Sequence, residues 1–121
     1  MKRILAVDDE PHILKLVAFS LKSGGYEVIE ASDGLSAIEV ARAEQPDLVL
    51  MDVMMPALDG YEACRRLKAD PQTADIPVMM LTAKTQAAEQ RIGADAGAVD
   101  YITKPFTPKE LVAQVREFLG E

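Results

Sequence analysis

The chain has 121 residues, of which 49% are hydrophobic and 5% are aromatic, so we expect one domain over residues 1–121 with an aliphatic core. Its 20 acidic and 13 basic residues give a net charge of −7, which argues against direct binding to nucleic acid or anionic membranes. The lone cysteine cannot form an internal disulfide, and no apolar run is long enough for a signal peptide or a membrane span. We therefore expect a cytoplasmic protein.

Five short apolar runs predict five β-strands, since each is too short for a typical helix and ends at a polar residue, glycine or proline. The runs cover residues 4–7, 26–31, 48–51, 76–81 and 99–102. The first, third and fourth runs are wholly apolar. The second contains Glu27 and Glu30, and the fifth contains Asp100.

Apolar residues at helical spacing predict a helix after each of these strands. The predicted starts are Pro11, Ser32 or Asp33, Gly60, about Gln86, and Thr107 or Pro108. Gly93 lies inside the fourth helix, predicted over residues 86–96, and should weaken it by roughly 0.5–1 kcal/mol relative to alanine.

Strands that alternate with helices predict an α/β fold with right-handed crossovers and a doubly wound parallel sheet. The wholly apolar strands belong in the middle of such a sheet and the charged ones at its edges. The strand order 2-1-3-4-5 satisfies this requirement, and it is an order known from flavodoxin-like folds. It would place Asp8, Asp9 and Asp52 across one crevice at the carboxyl ends of the first and third strands.

Three carboxylates in one crevice repel each other unless a cation joins them, and oxygen ligands of this kind favour Mg²⁺. Lys104 and Thr82 follow the fifth and fourth strands and should reach the same edge of the sheet. Taken singly, an aspartate there is usually a helix cap and a lysine a surface charge. Together, the five residues predict a site in which an aspartate accepts a phosphoryl group.

These motifs resemble the receiver domain of two-component response regulators, in order and over essentially the whole chain. They are the pair Asp8-Asp9, MDVMMP at residues 51–56 with Asp59-Gly60 beyond it, LTA at 81–83 and YITKPF at 101–106. The resemblance implies that Asp52 is the phosphate acceptor. It also implies Mg²⁺, or Mn²⁺ in its place, held by Asp9 directly, by Asp8 through water, by Asp52 and by the backbone carbonyl of Met54.

Other roles follow from the same resemblance. Lys104 would pair with the phosphoryl group, and the Lys104-Pro105 peptide would be cis. Thr82 and Tyr101 would form a switch pair in which the hydroxyl moves toward the phosphate and the ring turns inward. The switched surface would comprise the fourth helix, the fifth strand and the last helix.

The implied partners are a sensor histidine kinase or a phosphotransfer protein upstream, and an output protein or an output domain outside this chain downstream. The protein would be a signalling phosphoacceptor with at most weak self-phosphorylation and autodephosphorylation, not an enzyme. Val99-Asp100 replaces the Asp-Asp pair of many dimerising relatives, and the last helix is less basic than theirs. We therefore expect a monomer, with a phosphorylation-dependent dimer as the alternative.

Met54 and Lys84 stand two residues beyond Asp52 and Thr82. The resemblance implies that these positions flank the path of attacking water, so we expect a phosphoryl lifetime longer than in fast chemotaxis regulators.

Other functions remain open at this point. A flavin or nucleotide binder would share the fold, but it needs a Gly- or Ser/Thr-rich loop where this chain has Asp8-Asp9-Glu10-Pro11. An aspartate-nucleophile phosphatase usually has an acid at the position of Met54. A phosphorylation-independent interaction module on the same scaffold is the third alternative.

Overall fold

The computed structural model describes residues 1–83, 92 and 94–121. Its centre is a five-stranded parallel sheet in the order β2-β1-β3-β4-β5. The strands are β1 Arg3–Val7, β2 Glu27–Ala31, β3 Leu48–Asp52, β4 Val78–Thr82 and β5 Asp100–Thr103. The helices are α1 Pro11–Ser23, α2 Gly34–Glu44, α3 Gly60–Ala69 and a C-terminal helix Pro108–Leu119. The helix predicted over residues 86–96, with Gly93 inside it, falls largely outside the described residues.

The predicted α/β class and strand order are confirmed, and the burial of the strands explains them. Every residue of β3 and β4 is buried, as are four of the five residues of β1. Strands β2 and β5 contain exposed, half-buried and buried positions and lie at the two edges. The carboxylates in β2 and β5 therefore remain in contact with water, where charged side chains are stable.

Both faces of the sheet carry a core, because successive side chains of a strand point to opposite faces. On one face, Leu5, Val49, Met51 and Met80 pack with buried residues of α2 and α3. On the other face, Ile4, Leu50, Met79 and Leu81 pack with α1 and the C-terminal helix. The helices cover the faces and leave the carboxyl edge of the sheet accessible between them. Within the described part of the chain, no helix is long and apolar enough to cross a bilayer.

The helix starts agree with the capping residues predicted from the sequence. Asp33 accepts a hydrogen bond from the Ser36 backbone N–H at 2.7 Å and caps α2. Thr107 and Glu110 form a reciprocal capping box at the start of the C-terminal helix.

The largest difference from the predicted strand boundaries is at the start of β4, while the other boundaries agree to within one residue. Strand β4 begins at Val78 rather than at Ile76. Pro77 has no backbone N–H to donate to a neighbouring strand, and the N–H of Ile76 donates instead to the carbonyl of Thr73 at 3.0 Å. A turn therefore occupies the start of the apolar run.

Candidate functional site

Three aspartates meet at the carboxyl edge of the sheet, where β1 and β3 lie side by side. Asp52 is the last residue of β3, and Asp8 and Asp9 directly follow β1. Carboxylate oxygens of the three residues all lie within 4.8 Å of one another. Asp8 and Asp52 are only 1% and 6% exposed, whereas Asp9 is exposed. The structure thus brings together the acidic residues that the sequence placed across one crevice.

Lys104 reaches into this cluster from the loop after β5. Its Nζ lies 3.2 Å from Oδ2 of Asp8 and 3.1 Å from Oδ1 of Asp52. The backbone N–H of Lys104 donates to the carbonyl of Thr82 at 2.8 Å, and the Lys104-Pro105 peptide is cis as expected. The backbone of Lys104 is therefore held by β4, and its side chain is held by two aspartates.

The charges of the site depend on one another. Burial raises the pKa of Asp52, and the charge of Asp8 adds to this, while the hydrogen bond from Lys104 partly opposes it. Burial alone would lower the pKa of Lys104, but the carboxylates of Asp52 and Asp8 outweigh it and the pKa is raised. The lysine consequently stays cationic and offsets part of the repulsion between the aspartates.

Asp8 and Asp9 differ in how their side chains are engaged. Oδ1 of Asp8 accepts a hydrogen bond from the Glu10 backbone N–H at 2.9 Å, and its Oδ2 accepts from Lys104. Both oxygens of this buried carboxylate therefore have a donor. Asp9 is exposed and lines an open pocket of about 520 Å³ above Asp52.

That pocket is open to solvent and includes Asp52 in its lining. Its described lining consists of Asp9, Glu10, Pro11, Asp52, Met54, Ala83 and Lys104. Met54 stands at its rim with 74% of its surface exposed. Lys84, which the sequence paired with Met54, lies outside the described residues.

Thr82 and Tyr101 lie on the strands next to Asp52. Thr82 ends β4, the neighbour of β3, and is 3% exposed. Tyr101 is in β5 and is half-buried against the core that contains α3. The structure thus places Thr82 on the strand next to Asp52 and Tyr101 one strand further out.

The sequence did not identify Gly60 as part of the site. Its backbone N–H donates to the carbonyl of Val53 at 3.0 Å, which brings the start of α3 against the end of β3. Asp59 caps this helix through the Glu62 N–H at 2.8 Å. The Asp59-Gly60 pair is the available signal: the sequence identifies it as a helix start and as part of the receiver-like motif, without a role for Gly60 in the site.

Comparison with known proteins agrees with this geometry. A sequence model described as the response regulator receiver domain matches residues 4–116. The chain belongs to the response regulator receiver family. Among curated relatives of this receiver domain, the "DNA-binding dual master transcriptional regulator RpaA" of Synechocystis is 48% identical over 98% of this chain and 49% of its own length. The chain spans about half the length of the curated relatives it matches.

Solved structures support the same assignment. The receiver domain superposes on chemotaxis response regulator CheY4 of Vibrio cholerae with a TM-score of 0.92 and 33% identity, covering 97% of this chain and 98% of the other. It superposes on the receiver domain of sensor histidine kinase PA1611 from Pseudomonas aeruginosa with a TM-score of 0.89 and 33% identity. The match covers 99% of this chain and 98% of the PA1611 receiver domain. The PA1611 receiver domain has a magnesium ion coordinated in its active site cleft.

Proposed function

We propose that this receiver domain accepts a phosphoryl group on Asp52 from the phosphohistidine of a partner protein. The main support is the pair of contacts from the Lys104 ammonium to Asp8 and Asp52, at 3.2 and 3.1 Å, at the base of an open pocket. A carboxylate oxygen of Asp52 attacks phosphorus, the P–N bond breaks, and the histidine ring leaves with the electron pair of that bond. The product is an acyl phosphate on Asp52.

Lys104 has two successive tasks in this proposal. Before transfer it offsets the charges of Asp8 and Asp52. During transfer its ammonium shifts toward the phosphoryl oxygens, where negative charge accumulates. A lysine suits both tasks because its flexible side chain carries a compact charge that can change partners without leaving the pocket.

The donor set fits Mg²⁺, with Mn²⁺ as an alternative ion. The three clustered carboxylates are hard oxygen ligands, and the pocket leaves room for water. Asp9 and Asp52 would hold the ion directly with the Met54 carbonyl, and Asp8 would act through water, since both of its oxygens already accept hydrogen bonds. When bound, the ion would supply charge neutralisation on the transferring oxygens.

The upstream partner would be a sensor histidine kinase or a phosphotransfer protein. An apolar depression beside the site, lined by Ile13, Leu16, Pro105 and Phe106 together with Lys104, offers a docking surface for it. A partner helix seated there would carry its histidine to the mouth of the pocket.

The new charge on Asp52, about −1.5 to −2, would be read through Thr82 and Tyr101. Attraction of the Thr82 hydroxyl to the phosphoryl group would vacate space that the Tyr101 ring then enters. The surface altered would be β5, the C-terminal helix and the predicted helix at residues 86–96. Output would pass to another protein or to a separate domain, because a chain with a net charge of −7 is poorly suited to contact DNA itself.

The test is phosphorylation by acetyl phosphate with Mg²⁺, followed by intact-mass measurement. We expect a mass increase of one phosphoryl group that EDTA prevents. Asp52→Asn should abolish it, and Asp75→Asn, which changes an exposed aspartate far from the site, should not. No increase with either metal ion would contradict the proposal and favour an interaction module that works without phosphorylation.

A separate experiment tests the switch. Thr82→Ala should still accept the phosphoryl group, but the amide resonances of β5 and the C-terminal helix should move less on phosphorylation than in the native chain. Equal movement in both proteins would show that Thr82 does not transmit the signal.

A further inference from the structure

A second surface, remote from the aspartate cluster, has the features of a helix-binding groove. It lies between the C-terminal half of α1 and the C-terminal helix, and its volume is about 400 Å³. Its apolar lining includes Phe19, Pro108, Val112 and Ala113. Phe19 lies eight residues after Pro11, roughly 12 Å further along the helix axis, so the groove is separate from the phosphoryl pocket.

Phe19 is the main anchor of this surface. It is 70% exposed, more than any other described large hydrophobic residue except Met1 and Met54. Removing an exposed phenylalanine side chain from water favours association, and phenylalanine is enriched at the centres of protein interfaces. Val112 and Ala113 face it across the groove.

The charges around the groove are segregated by sign. Helix α1 contains Lys15 and Lys22 and, over its whole described length, no aspartate or glutamate. Lys15 precedes Phe19 by four residues and Lys22 follows it by three, so both lie on the same side of the helix as Phe19. Two exposed cations therefore flank the aromatic anchor.

The C-terminal helix also carries its cationic residues on the side that faces the groove. Lys109 and Arg116 line the groove, whereas Glu110 and Glu117 line a different depression on the side of the helix toward Asp100. One N–H group of Arg116 donates to the carbonyl of Gly24 at 2.8 Å. Its guanidinium and the side chain of Glu121 also lie near the Tyr26 hydroxyl, at the C-terminal end of the groove. A cationic frame thus surrounds an apolar groove on a protein whose net charge is −7.

We propose that this groove binds an acidic amphipathic helix of a partner protein, with an apolar stripe on Phe19 and Val112 and carboxylates toward Lys15, Lys22, Lys109 and Arg116. A groove between two helices matches the shape of a third helix, and the opposite charge gives the orientation. Symmetric pairing with a second copy is disfavoured, because it would bring two cationic frames together. A flat membrane surface does not complement the concave groove.

The test uses the native chain and two synthetic 18-residue helical peptides with the same leucine stripe. One peptide carries glutamate on both flanks of the stripe, and the matched peptide carries lysine. Binding is measured by fluorescence anisotropy and located from amide chemical shifts. We expect the acidic peptide to bind at least tenfold more tightly, with shifts confined to residues 15–24 and 108–116.

Two variants keep the test independent of any single substitution. Phe19→Ser and the triple variant Lys15→Glu/Lys22→Glu/Lys109→Glu should each raise the Kd at least tenfold. Phe118→Ser and Lys2→Glu, matched changes away from the groove, should leave it within twofold. Thermal melting checks that each variant is folded.

Four outcomes would overturn the proposal. They are equal affinity for the two peptides, shifts outside the groove, self-association that Phe19→Ser abolishes, and binding to phosphatidylglycerol vesicles that Phe19→Ser abolishes. Because Asp52→Asn should bind the acidic peptide like the native chain, failure here is distinguishable from failure of phosphoryl transfer.

Discussion

The backbones of Gly60 and Asp52 lie closer together than would be possible if residue 60 had a side chain. A Cβ atom on Gly60 would lie 2.2 Å from the backbone carbonyl oxygen of Asp52 and 2.7 Å from the Cε atom of Met80. The methionine end could move, but the carbonyl belongs to the end of a buried central strand. The start of α3 therefore packs directly on the backbone of the proposed phosphate acceptor.

Gly60→Ala should consequently lower both stability and phosphoryl uptake. The forced separation of α3 from β3 should cost about 2–3 kcal/mol of unfolding free energy, measured by urea denaturation. It should also slow phosphorylation by acetyl phosphate, since Asp52 is displaced. Gly25→Ala is the control: its φ of +96° disfavours a side chain, but the space is open, so we expect about 1 kcal/mol and normal uptake. A Gly60→Ala loss no larger than that of Gly25→Ala would contradict this account.

Mg²⁺ should stabilise the fold through the aspartate cluster. A ligand that binds only the folded state at one hundred times its Kd adds about 2.7 kcal/mol, so the melting temperature should rise with added Mg²⁺ and fall back with EDTA. Asp9→Asn removes an exposed carboxylate of the proposed metal site and should abolish most of the rise in melting temperature. Asp75→Asn should show the same rise in melting temperature as the native chain. A rise of the same size in Asp9→Asn would place the ion elsewhere.

Cys64 should make stability depend on pH in the alkaline range. Its side chain is fully buried and its Sγ donates to the carbonyl of Ala96 at 3.3 Å. Burial raises the pKa of the thiol to about 11, with Lys68 and Arg65 partly opposing. Because the folded state holds the proton more tightly than the unfolded chain, this contribution is fully present below about pH 8.5 and is lost as the pH rises toward 11.

The measurement is the difference in unfolding free energy between the native chain and Cys64→Ala at pH 7.5 and pH 10. Titrations of lysines and tyrosines away from Cys64 occur in both proteins and cancel in the difference. The advantage of the native chain should shrink by about 1–2 kcal/mol at the higher pH. A difference that stays constant would mean that the thiol is not protected from ionisation by burial.

Met54 should prolong the life of the phosphorylated state. It is 74% exposed at the rim of the pocket, where an apolar side chain can obstruct water approaching the acyl phosphate. We expect Met54→Ala to lose its phosphoryl group several-fold faster, followed by intact mass after removal of acetyl phosphate. Leu35→Ala, an exposed apolar residue on α2, is the matched control and should decay at the native rate. Equal decay in all three proteins would exclude Met54 from this role.

The sequence by itself determined which strands lie in the middle of the sheet, which lie at its edges, and at which end of the strands the site lies. Three wholly apolar strands had to be buried on both faces, which left the two charged strands at the edges. Parallel strands end at one edge, so the residues that follow them had to meet there. Asp8, Asp52 and Lys104 could be placed by this argument because burial and strand direction are local properties that recur along the chain.

Only the tertiary structure decided which atoms touch. Lys104 is 52 residues from Asp52 and 96 from Asp8, and the two contacts depend on how the loop after β5 is anchored to Thr82. The closeness of Gly60 to Asp52 likewise depends on the angle at which α3 meets the sheet. The groove beside Phe19 exists because two helices distant in sequence pack on one face and turn their cations to the same side. Such distances are set by the packing of side chains between elements, which no local pattern records.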